Sequence, residues 1–167
     1  MFRTDGIRKI VFLSLLIVFS IALNFLESLI PLGSMIPGIK IGVSNIVILA
    51  VIYIYSLKEG VMCAFLKSVL SLLLFSNMSA FIYSVSGGLM SAFVMGILKK
   101  TKHLSSVGVS LWGSFFHIST QIFVSAVSLG SAMVFYYYPY LLLFSIISGF
   151  INGYMVKILI EKLERRV

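Results

Sequence analysis

The chain has 167 residues, of which 60% are hydrophobic and only 11% charged, with a mean hydropathy of +1.11. A globule of this size exposes a large share of itself, so this composition excludes an ordinary water-soluble domain and points to lipid as the main solvent. The formal net charge of +8 sits in short basic clusters between apolar runs, the pattern of membrane-flanking cations rather than of a nucleic-acid face.

Arg3, Arg8 and Lys9 precede an apolar run from Ile10 to Ile30 that lacks a convincing small-residue cleavage site. It is therefore expected to be a retained first helix, at about 9–30, and not a signal peptide. Pro31 stops it. The stretch 31–42 contains Pro31, Gly33, Pro37, Gly38 and Gly42 and reads as a loop, yet it is mostly apolar. Helix 2, at about 43–55, is short against the ~20 residues a perpendicular span needs. The apolar loop before it is expected to dip to membrane depth, where irregular backbone is tolerated only under a cover of protein or along a cavity. Ser56, Lys58, Glu59 and Gly60 make a tight polar turn. Helix 3 follows at about 60–75, broken by Ser76 to Ser79. Helix 4 spans about 80–98, and Lys99, Lys100, Lys102 and His103 form the next loop. Helix 5 covers about 107–129 and helix 6 about 138–160, opening at Tyr138-Pro139. Glu161, Lys162, Glu164, Arg165 and Arg166 form the tail. The expectation is a single all-α integral membrane domain over 1–167, a bundle of six transmembrane helices.

Lys and Arg set the orientation. Eleven fall at the N-terminus, the 2–3 turn, the 4–5 loop and the tail. Lys40 alone falls on the other side, and Lys67 lies within a span. Both termini are thus expected in the cytoplasm, with the protein multi-pass in the cytoplasmic membrane. Tyr136, Tyr137, Tyr138 and Tyr140 then reach the outer interface, where amphipathic rings prefer to sit.

Several polar residues lie within or beside the spans. Glu27 is three residues after Asn24, so the two share a helix face. Lys40 and Asn45 flank the start of helix 2. Lys67 is in the middle of helix 3, His117 and Gln121 are one turn apart on helix 5, and Asn152 is inside helix 6. Ionisable groups at such depth are costly and mark a pathway, a pair or a site. Lys67 is open to either a structural or a functional role: it could pair with Glu27, snorkel to the cytoplasmic edge, or line a pathway. Glu27, Lys40 and Asn45, placed near the outer surface, are expected to bind substrate. His117 and Gln121 are candidates for the same site or for interhelical hydrogen bonding. Ser84, Gly88, Ala92 and Gly96 form a small-residue ridge on helix 4, and Ser145, Gly149 and Gly153 form another on helix 6. Such ridges let helices approach closely, for packing inside the bundle or for docking a partner subunit.

The absences also restrict function. There is no Gly-rich loop followed by Lys-Ser or Lys-Thr, so ATP binding by that route is excluded. Asp5 is the only aspartate, so the clustered oxygen ligands that hold magnesium on diphosphates are missing. The lone cysteine, Cys63, excludes a disulfide framework or a cysteine metal site within the chain. No cofactor and no metal is expected, and the chain is not expected to be an enzyme by itself.

Asn24-Phe-Leu-Glu27-Ser-Leu-Ile-Pro31, followed by Ile36-Pro37-Gly38-Ile-Lys40-Ile-Gly42-Val-Ser-Asn45-Ile-Val, resembles the Gx transporter family, also labelled heptaprenyl diphosphate synthase component I. The resemblance continues through Phe81 to Gly88, Gly108 to Gln121 with His117, and Tyr136 to Tyr140. The Pro-Gly-x-Lys-x-Gly-x-x-Asn stretch is its most specific part. Lys67 stands where the resemblance implies an arginine, keeping the charge but losing the bidentate geometry. The family is similar in size and topology to the substrate-binding S-components of energy-coupling factor transporters. That likeness implies capture of a small-molecule substrate at the outer face, with a transmembrane coupling subunit and ATPase subunits as partners. S-components often carry Ala-x-x-x-Ala on helix 1, which this chain lacks. The synthase label implies a different role, as a membrane accessory subunit beside a prenyl diphosphate synthase, in isoprenoid or quinone synthesis. Partners expected on either reading include the lipid bilayer and exclude nucleic acid.

Overall fold

The computed structural model describes residues 6–29, 40, 42–75 and 78–165. Within them the apolar runs form six α-helices: α1 (Gly6–Ser28), α2 (Asn45–Ile54), α3 (Leu57–Phe75), α4 (Met78–Thr101), α5 (Ser106–Leu129) and α6 (Tyr138–Glu164). Their ends follow from local chemistry. Ser56 and Glu59 bond through their side chains, and Ser56 Oγ accepts from the Lys58 N–H at 3.2 Å, which satisfies a free donor of α3's first turn. Ser105 Oγ accepts from the Gly108 N–H to open α5, and Gly130, at φ +59°, closes it in the left-handed region. A short 3₁₀ segment, Ala132–Tyr137, leads into α6, whose first turn holds Pro139 where its missing N–H costs nothing.

The bounds lie within a few residues of the sequence expectation, with two extensions. Helix α4 continues through Lys99 and Lys100 to Thr101, and α6 runs to Glu164. The basic residues assigned to loops are therefore partly helical, which charge at a helix C-terminus favours. Of the apolar stretch 31–42, only Lys40 and Gly42 are among the described residues. The same holds for the break at 76–79, of which Met78 and Ser79 are described and helical.

Helices α1, α4, α5 and α6, the last with its 3₁₀ segment, are long and apolar enough to cross a membrane. Helix α3, with 19 residues, rises about 28 Å, and α2, with 10 residues, only about 15 Å. The shortness of α2 decides the architecture. It packs against α1, α3, α4 and α6, while α1 packs on α3, α3 on α4, α4 on α5 and α5 on α6. Four helices thus pack around one short apolar helix, and Leu49, Val51 and Ile52 of α2 have no exposed surface. The outward faces carry Phe12, Leu15, Phe19, Phe123 and Phe150, exposed as lipid-facing residues are. The chain is a helical, multi-pass membrane protein.

Two lysines clamp the far end of α2. Lys9 Nζ bonds Glu59 Oε1 at 2.5 Å and lies over the Tyr55 ring. Lys99 Nζ donates to the Ile52 carbonyl at 2.6 Å and lies over the Tyr53 ring. These contacts bring the start of α1, the end of α2, the start of α3 and the end of α4 to one end of the bundle. The Ser106 hydroxyl donates to the Gly153 carbonyl at 3.3 Å, so the start of α5 faces the later half of α6. The basic clusters consequently gather at a single end.

Both small-residue ridges face inward. Ser84, Gly88, Ala92 and Gly96 are buried, and a Cβ on Gly96 would fall on Leu57. Gly149 lies against Ser114 and Leu111, and a Cβ on Gly153 would come within 2.5 Å of Val107 Cα. The ridges are already occupied by neighbouring helices, so a partner docking on them would have to displace one.

Candidate functional site

The polar residues picked from the sequence converge on the start of α2, inside the bundle. The organising residue is Gly42. Its φ is +94°, and a Cβ there would meet Asn45 Nδ2 at 2.9 Å and His117 Cδ2 at 3.1 Å. A side chain is excluded on both counts. The Gly42 N–H donates to Glu27 Oε1 at 2.5 Å, and its carbonyl accepts from Asn152 Nδ2 at 3.1 Å and from the Asn45 N–H at 3.0 Å. One glycine therefore links α1, α2 and α6 through its backbone.

Residues around it extend the link. The Ser20 hydroxyl donates to the Ser44 carbonyl at 3.1 Å. Lys40 Nζ donates to Asn24 Oδ1 at 2.8 Å and to the Asn24 carbonyl at 3.3 Å, while the Lys40 N–H donates to Gln121 Oε1 at 3.3 Å. Asn24 Nδ2 in turn donates to Ser71 Oγ at 3.0 Å. Helix α1 packs chiefly on α2 and α3, yet Lys40 and Gly42 tie it to α5 and α6. Among the described residues of this irregular backbone, the Lys40 N–H and the Gly42 N–H and carbonyl each have a protein partner, as such groups need at this depth.

Lys67 neither pairs with Glu27 nor snorkels. It is 1% exposed, and its Nζ donates to Ser44 Oγ at 3.0 Å and Asn45 Oδ1 at 3.4 Å. Among the described residues the ion pairs are Lys9–Glu59 and Lys157–Glu161, neither in this cluster. Glu27 does lie in the fields of Lys67 and Lys40. Asn45 is buried, and its Nδ2 lies 3.0 Å from His117 Nδ1, in the middle of α5. His117 Nε2 lies 3.0 Å from Gln121 Nε2. Glu27, Lys40, Asn45, His117 and Gln121 are thus brought into one cluster, with Lys67 in its floor.

The sequence reading did not single out Ser20, Ser44, Ser71, Gly42 or Gly87 as site residues. A Cβ on Gly87 would meet Gln121 Cγ at 2.9 Å and His117 Cε1 at 3.1 Å, so this glycine seats the His117–Gln121 pair against α4. Serines every few residues along apolar helices were the available signal, since each needs a partner in lipid. Among the described residues, four buried side-chain atoms have no hydrogen-bond partner: Glu27 Oε2, Asn152 Oδ1, Ser91 Oγ and Ser125 Oγ. The first two belong to the side chains that hold Gly42.

Fold and site together define a multi-pass helical membrane protein with an ionisable cluster enclosed where a short inner helix begins. No curated protein matches the chain in sequence. The family described as heptaprenyl diphosphate synthase component I matches residues 16–159, nearly the whole of it. The chain belongs to that family.

Proposed function

We propose that the chain is the membrane-embedded substrate-binding subunit of an uptake transporter of the energy-coupling factor kind. It lies in the cytoplasmic membrane with both termini, and the basic end of the bundle, in the cytoplasm. A small molecule enters from outside through the region of the 1–2 loop. Lys40 and Asn45 contact its polar or anionic group, Glu27 orients them, and His117 and Gln121 complete the lining. The observation that carries this reading is the buried cluster at Gly42, because so many polar and charged groups inside lipid are expensive unless they serve a site. Lacking an ATP-binding motif, the chain would draw energy from a transmembrane coupling subunit and ATPase subunits, and it would catalyse no reaction alone. Mass spectrometry of the purified protein, alone and with an ATPase module, is expected to find a retained small molecule. A protein that retains none, and binds none in a metabolite screen, would refute the proposal.

The family's description favours a second reading, a membrane accessory subunit of prenyl diphosphate or quinone synthesis. Its test is co-purification with an aspartate-rich synthase whose activity depends on this chain. Absence of both would dismiss it.

A further inference from the structure

Five groups of the cluster form one row: the Lys67 ammonium, the Asn45 amide, the His117 ring, the Gln121 amide and the Lys40 N–H. Its four links measure 3.4, 3.0, 3.0 and 3.3 Å. An amide offers a donor on one side and an acceptor on the other, and a neutral imidazole has one of each. Both ends of the row are donors only. Four links therefore share three acceptors, and one link stays unmade in every arrangement. Turning an amide by 180° only moves the conflict along the row. With Asn45 Nδ2 and Gln121 Nε2 both facing the ring, the conflict falls on His117. The Gly87 carbonyl faces the ring too and can take its N–H, but it adds no acceptor to the four links.

The charges repeat the shortage. Lys67 donates to Ser44 and Asn45, and Lys40 Nζ to Asn24, all neutral acceptors. Among the described residues neither lysine is in an ion pair. Glu27, the carboxylate of the cluster, is turned to the Gly42 N–H. Two ammonium groups against one carboxylate leave positive charge in a place where unpaired charge is expensive.

We propose that a ligand's anionic oxygen, from a carboxylate or a phosphate, supplies the missing acceptor beside His117, between Lys67 and Lys40. The assignment rests on the reading of this cluster as a binding site, and it names the chemical class that the site takes. A ligand oxygen accepting from Asn45, His117 or Gln121 closes the row and balances the excess charge in one step.

The test uses the full chain carrying His103→Gln, which leaves His117 as its sole histidine, in phosphatidylcholine nanodiscs. The ¹⁵N resonances of the ring are followed as sodium acetate or inorganic phosphate is added. A saturable shift is expected with at least one of them. Asn45→Asp builds the missing acceptor into the row, so it should weaken the response at least ~10-fold while leaving the melting temperature no lower than the parent's. Gln121→Glu serves the same purpose should the first variant misfold. Discs containing phosphatidylglycerol, without added anion, separate the sources: a ring already shifted there assigns the acceptor to a lipid headgroup. No response to acetate, phosphate or the anionic lipid overturns the proposal, as does an equal response in the two carboxylate variants. A protein that retains a metabolite but shows no ring response loses the anion assignment alone. A ring response without any retained molecule or uptake keeps the anion site and defeats the transporter reading.

Discussion

Gly42→Ala tests whether the start of α2 organises the cluster. The new Cβ would sit at φ +94°, 2.9 Å from Asn45 Nδ2 and 3.1 Å from His117 Cδ2. A non-glycine residue with positive φ costs roughly 1–2 kcal/mol. Pushing Asn45 off His117 forfeits a buried hydrogen bond, about 1 kcal/mol more. The sum, about 2–3 kcal/mol, lowers the folded-to-unfolded ratio roughly 30- to 150-fold. In a chain of this length that corresponds to a melting temperature lower by roughly 4–12 °C. The assay is helical circular dichroism against temperature in detergent, with Gly88→Ala as the matched control. A Cβ on Gly88 meets only Ala64 Cβ, at 3.8 Å, and alanine favours the helix by about 1 kcal/mol. The control should therefore melt no earlier than the parent. Equal melting of the two variants would refute the role given to Gly42.

Three further outcomes follow from the packing and the basic end. Gly153→Ala drives a Cβ to 2.5 Å from Val107 Cα, so it should part α5 from α6 and cost about 1–3 kcal/mol, read as a lower melting temperature than for Gly88→Ala. Lys99→Met removes the donor to the Ile52 and Tyr53 carbonyls and the cation over Tyr53, and should cost about 1–2 kcal/mol by the same assay. Glu59, in the turn at the basic end, is held down to about 2 by its bonds to Lys9 and then Ser56. A carboxylate with a lowered folded-state value stabilises fully above the unfolded value of about 4.3, and that contribution is lost as pH falls towards 2. Glu59→Gln should therefore flatten the decline of melting temperature between pH 5 and about 2; an unchanged slope would show that the Lys9 contact contributes nothing.

Hydrophobic periodicity and breakers made the six helices legible, because a helix in lipid must be long, apolar and punctuated. The brevity of α2 was legible for the same reason. Its consequence was not: a ten-residue helix could have lain at the membrane surface. Packing against four other helices places it inside. Depth and polarity made the polar residues of the spans legible, but not the contacts among them. Gly42, at φ +94°, precedes α2 and sets Asn45 against His117, a residue on another helix that spacing along the chain does not point to. Lys67 shows the same limit. Its position in the middle of a span announced an expensive charge, yet its partners Ser44 and Asn45 lie 23 and 22 residues away in sequence.

By itself the sequence determined the solvent of the chain, the number of helices and the small set of polar groups that lipid would not tolerate unpartnered. Composition and spacing carry those, since they are properties of each segment alone. Only the tertiary structure decided that α2 is the centre of the bundle, that the glycine ridges are filled by neighbouring helices, and that Lys67, Asn45, His117, Gln121 and Lys40 stand in one row. The acceptor shortage of that row belongs to no segment, because it arises when hydrogen-bonding groups from α2, α3, α5 and the stretch before α2 must satisfy one another in a place without water.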